Sequence, residues 1–389
     1  MATITESFHS ESAQAFTFPL QTKAFVVQEP KADFALTTIT LDEVRPDEVL
    51  VEMKYSGICH TDIVLQQGLL PMVDFPAIFG HEGAGVVRAI GSSVKNKSLQ
   101  VGDSVLLSFT VCGDCKQCTS GHPAYCHSHP QINHGAVRRD GSTPGKLLDG
   151  RGVRSQYFGH SSFAKMSVVS EKCVVRCPYP ESMGIYAPLG CGFQTGAGTI
   201  LNVLKPQAQQ SVVICGIGGV GLAAVMAAKY LGVQQVIAID LVDDRLKLAE
   251  ELGATHIINS KQDADVVKTI KDLTHGGANF AVDCTGVVPV IEMLIECIGP
   301  RGVAATVGVP PPGKKIQIDP LTFLLENKTY VGVIEGDSNP EVFIPELMEL
   351  HRSGNFPIER LCKVYPIEKL ETALSDLKSG SVIKPVIQF

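Results

Sequence analysis

No run of Lys and Arg forms a basic stripe along this 389-residue chain, and acidic residues outnumber basic ones by 40 to 33, for a net charge of −7. A partner held through its phosphate backbone needs a positively charged face, so the composition argues against a nucleic-acid binder. Nowhere do 18 consecutive apolar residues occur, so no membrane-spanning helix is expected. The opening MATITESFHSESAQAFTFPL lacks the basic and apolar regions of a secretory signal. The closing KPVIQF is neither a peroxisomal address nor a prenylation box. Internal repeats and low-complexity tracts are missing as well. By elimination the chain is expected to be soluble and cytoplasmic. In that reducing compartment its twelve cysteines read as metal ligands and buried thiols rather than as disulfides.

What is present fits a packed globular protein: 44% hydrophobic residues and 37 glycines, in a chain long enough for two or three domains. Up to about residue 190 the sequence consists of short β-runs broken by Gly, Pro and Asp. KAFVV, EVLVEMKYSGI, GAGVVRAIG and DSVLLSF have the spacing of an all-β barrel or sandwich. From about 193 the rhythm changes. SVVIC, QVIAI, HII, FAVDC, GVAATVG and TYVGVI are short runs of Val, Ile and Ala, several of them separated by helical patterns such as GLAAVMAAKYLG and DRLKLAEELGA. That alternation predicts a doubly wound parallel sheet with both faces covered. The tail after about 335, with two helical patterns and a final strand, is too short for a domain and is expected to rejoin the first one.

The stretch CGIGGVG supplies Gly216, Gly218 and Gly221, with Gly219 and Val220 between them, after one predicted strand and before a helix. Glycine there lets the backbone approach a pyrophosphate, and the helix N-terminus offers unpaired N–H groups. Asp240 ends the next strand, nineteen residues beyond Gly221. An acid at that place accepts hydrogen bonds from adenosine ribose hydroxyls and repels a 2′-phosphate, which favours NAD. Arg245 nearby suits either a ribose or a phosphate.

Four cysteines, Cys112, Cys115, Cys118 and Cys126, fall within fifteen residues as C-x2-C-x2-C-x7-C. Four thiolates on a tightly turning loop can close a tetrahedral zinc site with no vacancy. An iron–sulfur cluster matches the ligand type but needs more special context. His122, His127 and His129 compete as ligands. Elsewhere GICHTD and GHEGAGVV place Cys59, His60, Asp62, His81 and Glu82 in loops near β-runs, and Cys191 lies in LGCGFQTGAG where the two halves meet. A Cys–His–Cys set would leave the open position that a catalytic zinc requires. Cys173 and Cys177 are rival thiols, read as strand core.

In their order and approximate spacing, GICHTD, GHEGAGVV, the four-cysteine lobe, LGCGFQTG, GIGGVG and DCTG resemble the zinc-dependent medium-chain alcohol dehydrogenases over almost the whole chain. The resemblance implies a GroES-like β-barrel catalytic domain (1–192 and 335–389) and a Rossmann domain binding NAD (193–334). It implies a catalytic zinc on Cys59, His81 and Cys191, with Asp62 orienting His81 and Glu82 behind the metal, and a structural zinc in the lobe. Thr195 and Val220 would line the nicotinamide, Asp240 and Arg245 would meet the ribose, and His60 and Lys384 the pyrophosphate. The implied chemistry is ionisation of an alcohol at the metal's open position, hydride transfer to nicotinamide and proton exit through Thr61.

The sequence departs from the liver-type pattern at Val64, where that pattern ends its proton relay in a histidine. RSQYFGHSSFA and INHGAVRRDGS resemble the aryl-alcohol branch, with Phe158 and Val309 at pocket positions, and imply an aromatic or allylic alcohol/aldehyde pair as substrate. A glutathione-dependent formaldehyde dehydrogenase is a competitor, but it needs charged pocket residues. A non-catalytic protein binding NAD and zinc is the alternative of another class. Family members are dimers or tetramers, and the TYVGVI edge could extend the sheet across a two-fold axis.

Overall fold

The computed structural model describes residues 16–389; the opening fifteen residues, and with them part of the stretch read for a secretory signal, lie outside the described residues. The apolar runs of the second half form one parallel sheet. Its spatial order is His256–Asn259, Gln235–Asp240, Ser211–Cys215, Ala278–Asp283, Ile298–Thr306, Thr329–Gly332. Ser211–Cys215 is buried at every position, as a strand covered on both faces must be. Val213 sits beside Ile237 on one side and Ala281 on the other. From this strand the chain winds outward to His256–Asn259, then crosses to Ala278–Asp283 and winds the other way. The crevice at the strands' C-terminal ends therefore opens between Cys215 and Asp283, the usual place for a ligand in such a sheet.

The first half forms antiparallel sheets that curl into a near barrel. Glu48–Gly57 pairs with Glu82–Ile90 and with Met166–Ser170. Along this strand the pleat sends Val49, Val51 and Met53 into one cluster with Val87, Val105 and Leu107, and Leu50 into another with Phe79 and Phe163. The last strand of the tail pairs with this sheet. Lys384–Gln388 pairs antiparallel with Glu48–Gly57, placing Val386 against Gly57, and parallel with Cys362–Pro366. Among the described residues no helix is long and apolar enough to cross a membrane.

The structure differs from the all-β reading of the first half at several points. GICHTD is not a loop throughout: His60–Gln66 is a helix, started by Asp62 accepting a hydrogen bond from the Cys59 amide at 2.9 Å. Glu82 begins a strand rather than lying in a loop. The chain also turns helical before 190, at Met183–Tyr186, and continues through Gly192–Gly198. These segments are too short to show a 3.6-residue period in sequence.

The loop carrying INHGAVRRDGS is stitched to the barrel by a buried ion pair. Arg138 Nε and Nη2 donate to the Glu48 carboxylate at 2.7 and 2.9 Å, and Gln156 adds a bond at 3.0 Å. Removing one partner leaves an unpaired buried charge, so Glu48→Ala is expected to cost about 3–5 kcal/mol. The check is a lowered urea midpoint at fixed protein concentration.

Candidate active site and the two cysteine centres

Register brings the first cluster together. Gly57 lies opposite Glu82 in the antiparallel pair, so Cys59, two residues past the strand, arrives beside His81. Cys191 joins them from the turn that precedes helix Gly192–Gly198. Ligand atoms of Cys59, His81, Glu82 and Cys191 all lie within 4.8 Å of one another. Asp62 Oδ1 holds His81 Nδ1 at 2.9 Å and also accepts from the Gly80 amide at 2.9 Å, which fixes the imidazole plane. His81 Nε2 is consequently buried with no partner. An orphaned imidazole nitrogen beside two thiols is the donor set of a zinc site with one position to spare.

The surrounding charges fit that reading. The Cys59 thiol is drawn well below its ordinary pKa by a hydrogen bond from Cys191, against burial, with help from His81 and Lys384. Glu82 is occupied from behind: Lys384 Nζ binds its two oxygens at 2.8 and 3.0 Å, and the Gly192 amide donates to Oε1 at 3.2 Å. Burial alone would discharge Lys384, but Glu82 and Cys59 keep it an ammonium.

One carboxylate in the cluster escaped the sequence reading. Glu335 Oε1 is 3.5 Å from Cys191 Sγ, while Oε2 accepts from Gln194 Nε2 at 3.2 Å and the Thr195 hydroxyl at 3.4 Å. Burial pushes its pKa up to about 7. Glu335, Gly336 and Asp337 all have positive φ, at 50, 64 and 46°, an arrangement L-residues adopt only when neighbours enforce it. The enforcement is visible. Ser338 Oγ donates to Gln194 Oε1 at 3.0 Å, Asn202 Nδ2 donates to the Gly336 carbonyl at 3.0 Å, and a Cβ at Gly336 would sit 2.5 Å from the Gln194 carbonyl oxygen. An EGDS sequence with no apolar period gave no local sign of this.

The glycine loop stands at the crevice. Gly216 has φ +91°, and a Cβ there would strike Thr285; at Gly221 it would come within 2.1 Å of the Gly216 carbonyl oxygen. Next to Gly218 there is open space. Asp240, 8% exposed, accepts from the amides of Ile217, Leu241 and Val242 at 2.7, 2.7 and 3.0 Å. Arg245 lies 4.0 Å from it with a buried Nε that has no partner. A Cβ at Gly196 would meet the Val220 carbonyl oxygen at 2.0 Å, so the helices carrying Thr195 and Val220 touch backbone to backbone. Lys384 lies close to Gly219, although its ammonium is engaged by Glu82. His60 is exposed at the first position of its helix.

The four lobe thiols also lie within 4.8 Å of one another. Amides of Cys112, Cys115 and His127 donate to the sulfurs of Cys126, Cys112 and Cys115 at 3.3, 3.4 and 3.5 Å, the pattern that stabilises thiolates around a metal. None of the competing histidines joins the group. His122 pairs with Asp337 at 2.9 Å, His127 contributes only its amide, and His129 turns to the rings of Phe109 and Phe158. Cys173 and Cys177 are buried away from both clusters.

Thr61 Oγ1 is 3.6 Å from Cys59 Sγ. Phe158 is buried in a turn, not in a strand, with its ring centroid 4.6 Å from that of His81. Val309, by contrast, is 57% exposed on the loop past strand Ile298–Thr306.

Residues 45–179 match the alcohol dehydrogenase GroES-like domain, and residues 219–352 the zinc-binding dehydrogenase family. A geraniol dehydrogenase of Castellaniella defragrans is 38% identical over 373 residues, 95% of this chain and 98% of its own length. Benzyl alcohol dehydrogenase from Acinetobacter calcoaceticus superposes with a TM-score of 0.90 at 39% identity, over 95% of this chain and 99% of that one. An alcohol dehydrogenase zinc-binding domain protein from Burkholderia ambifaria gives 0.91 at 40% identity with the same coverage. With both thiol centres assembled and these relatives matched end to end, the chain belongs to the zinc-dependent medium-chain alcohol dehydrogenases and is an oxidoreductase.

Proposed function

We propose that this enzyme interconverts primary alcohols and aldehydes whose carbon skeleton is aromatic or allylic, with NAD as hydride carrier. The observation that carries the reading is the aromatic wall beside the Cys59–His81–Cys191 cluster. Phe158 lies 4.6 Å from the His81 ring, and Tyr157 packs edge-on to both at 5.2 and 4.9 Å. A flat substrate fits against such rings better than a saturated or charged one. The glutathione-type alternative would need charged groups at this wall, and its rings are those of Phe158 and Tyr157.

In this reading Cys59, His81 and Cys191 hold a zinc ion, which when bound supplies the Lewis acidity that eases ionisation of an alcohol hydroxyl. Asp62 fixes the tautomer and plane of His81. Thr61 takes the alcohol's proton at Oγ1. With Val64 in place of a relay imidazole, the proton goes on to a cofactor hydroxyl or directly to water. Gly216, Gly218 and Gly221 admit the pyrophosphate, with His60 and Lys384 as flanking cations. Asp240 meets the adenosine ribose, and its carboxylate, oriented by three backbone amides, is hostile to a 2′-phosphate. Thr195 and Val220 border the nicotinamide, and Val309 is assigned to the outer mouth of the pocket because of its exposure.

The domain division at 192/193 and 334/335 is supported by the sheet topology, since the tail strand Lys384–Gln388 pairs within an antiparallel sheet of the first half. A homodimer or homotetramer is supported by the edge strand Thr329–Gly332 and by Leu321, Leu324 and Leu325, which are 61, 76 and 74% exposed on the preceding helix. Thiol ligands at two centres suit a reducing, cytoplasmic setting.

A panel of aromatic, allylic and aliphatic alcohols and aldehydes, assayed with NAD and NADP, tests the reading. Turnover confined to saturated alcohols, or a preference for NADP, would sink it. Turnover with none, at full zinc content, would favour the non-catalytic alternative. His81→Ala is expected to abolish turnover while NAD still binds, whereas Cys115→Ser is expected to lower stability or assembly first; a well-folded Cys115→Ser protein lacking only hydride transfer contradicts that division. Glu335→Gln keeps the shape but removes the carboxylate acceptor of Thr195. It is expected to reduce kcat about tenfold, the worth of one charge-assisted bond, with a smaller change in KM.

A further inference from the structure

Seven buried side-chain polar atoms have no hydrogen-bond partner among the described residues. Two are accounted for by the readings above: His81 Nε2 faces the zinc cluster, and Arg245 Nε stands beside the ribose-binding Asp240. The other five are His129 Nε2, His134 Nδ1, Tyr157 Oη and both nitrogens of His160. Three of the five, those of His129, His134 and Tyr157, lie on side chains grouped around Phe158. Phe158 stacks on His81 and meets His134 at 5.4 Å and His129 at 6.2 Å, and the His129 and His134 rings are 5.5 Å apart.

A metal does not explain them, because neither His129 nor His134 belongs to a ligand cluster among the described residues. Packing alone is a poor second explanation. Tyr157 is 0% and His129 5% exposed, and Phe or Leu would fill either place without stranding a polar atom. A ligand hydroxyl would satisfy these atoms, and its chemistry is constrained. An uncharged imidazole nitrogen offers either a donor or an acceptor, and the unpartnered nitrogens of both rings are buried. A carboxylate or ammonium would be buried there without a counter-ion, whereas a hydroxyl pairs with either tautomer and with a phenol.

We propose that His129, His134 and Tyr157 form a polar subsite beyond Phe158 that binds a second hydroxyl of the substrate, so that the enzyme prefers hydroxylated aromatic alcohols, such as hydroxybenzyl alcohols, to unsubstituted ones. This rests on the alcohol-oxidising reading of the same site. The test compares kcat/KM for benzyl, 3-hydroxybenzyl and 4-hydroxybenzyl alcohols in the natural enzyme, Tyr157→Phe and His134→Phe, with zinc content and melting temperature as controls for folding. In parallel, calorimetry measures the affinity of benzaldehyde and 4-hydroxybenzaldehyde for each protein. The natural enzyme is expected to favour at least one hydroxylated compound by about tenfold, and each variant to bring that ratio toward one. Turnover of benzyl alcohol with no such preference, or a preference that both variants keep, overturns the subsite while leaving the broader reading intact. Absence of turnover with every alcohol and aldehyde overturns the broader reading. The calorimetric ratio then decides the subsite separately: equal affinity for the two aldehydes ends it. Tyr157→Phe differs by one oxygen and keeps the test open if His134→Phe fails to fold.

Discussion

The buried contact between Lys384 and Glu82 is where the molecule closes on itself. Three distant parts of the chain meet there: the strand end before Cys59, whose Ile58 carbonyl accepts from Lys384 Nζ at 3.4 Å, the strand beginning at Glu82, and the helix start at Gly192. Taking both charges out of water costs more than an exposed pair could return, so the contact is a weak source of stability and a strong source of registry. If the tail strand slipped by one residue, Lys384 would turn to the opposite face and strand the carboxylate. The geometry of Cys59, His81 and Cys191 therefore depends on a residue more than 300 positions from the first of them, and a tail too short to be a domain becomes part of the site.

The four-cysteine lobe draws attention first in the sequence, yet four sulfurs saturate a zinc ion and leave nothing for a substrate. Its influence on the reaction has to be mechanical, and the structure supplies a route. Tyr125 Oη donates to the Gly332 carbonyl at 3.4 Å, and His122 binds Asp337 at 2.9 Å. Between those two contacts runs the strained segment that carries Glu335 to Cys191. The lobe thus grips the outside of a strap whose inside borders the catalytic cluster.

What was legible in the sequence had a local signature. The glycine loop, the four-cysteine spacing and the short Val/Ile runs each announce themselves within a window of about ten to fifteen residues, and the order of motifs supplied the ligand set. Glu335 was not legible, because its importance lies in a contact with Cys191 across 144 residues and its backbone is set by Gln194, Gly198 and Asn202. The Glu48–Arg138 pair was invisible for the same reason. Phe158 could be named as a pocket residue by resemblance, but its positive φ of 54° and its contact with His81 come only from the turn that holds it.

The histidines following Cys126 show how a sequence signal can be right in type and misplaced in role. Next to a thiol cluster, His127 and His129 read naturally as spare metal ligands. The chain between Pro130 and His134 instead winds into a wide helical turn, with Asn133 bonded to both backbone groups of Thr110. That turn carries His129 and His134 away from the lobe and onto Phe158. His129, which would be redundant around a saturated zinc, is left with His134 beside Phe158, each with an unpaired nitrogen. In that place the role proposed for them is to discriminate between substrates, and it depends on a turn that has no counterpart in the lobe's own spacing.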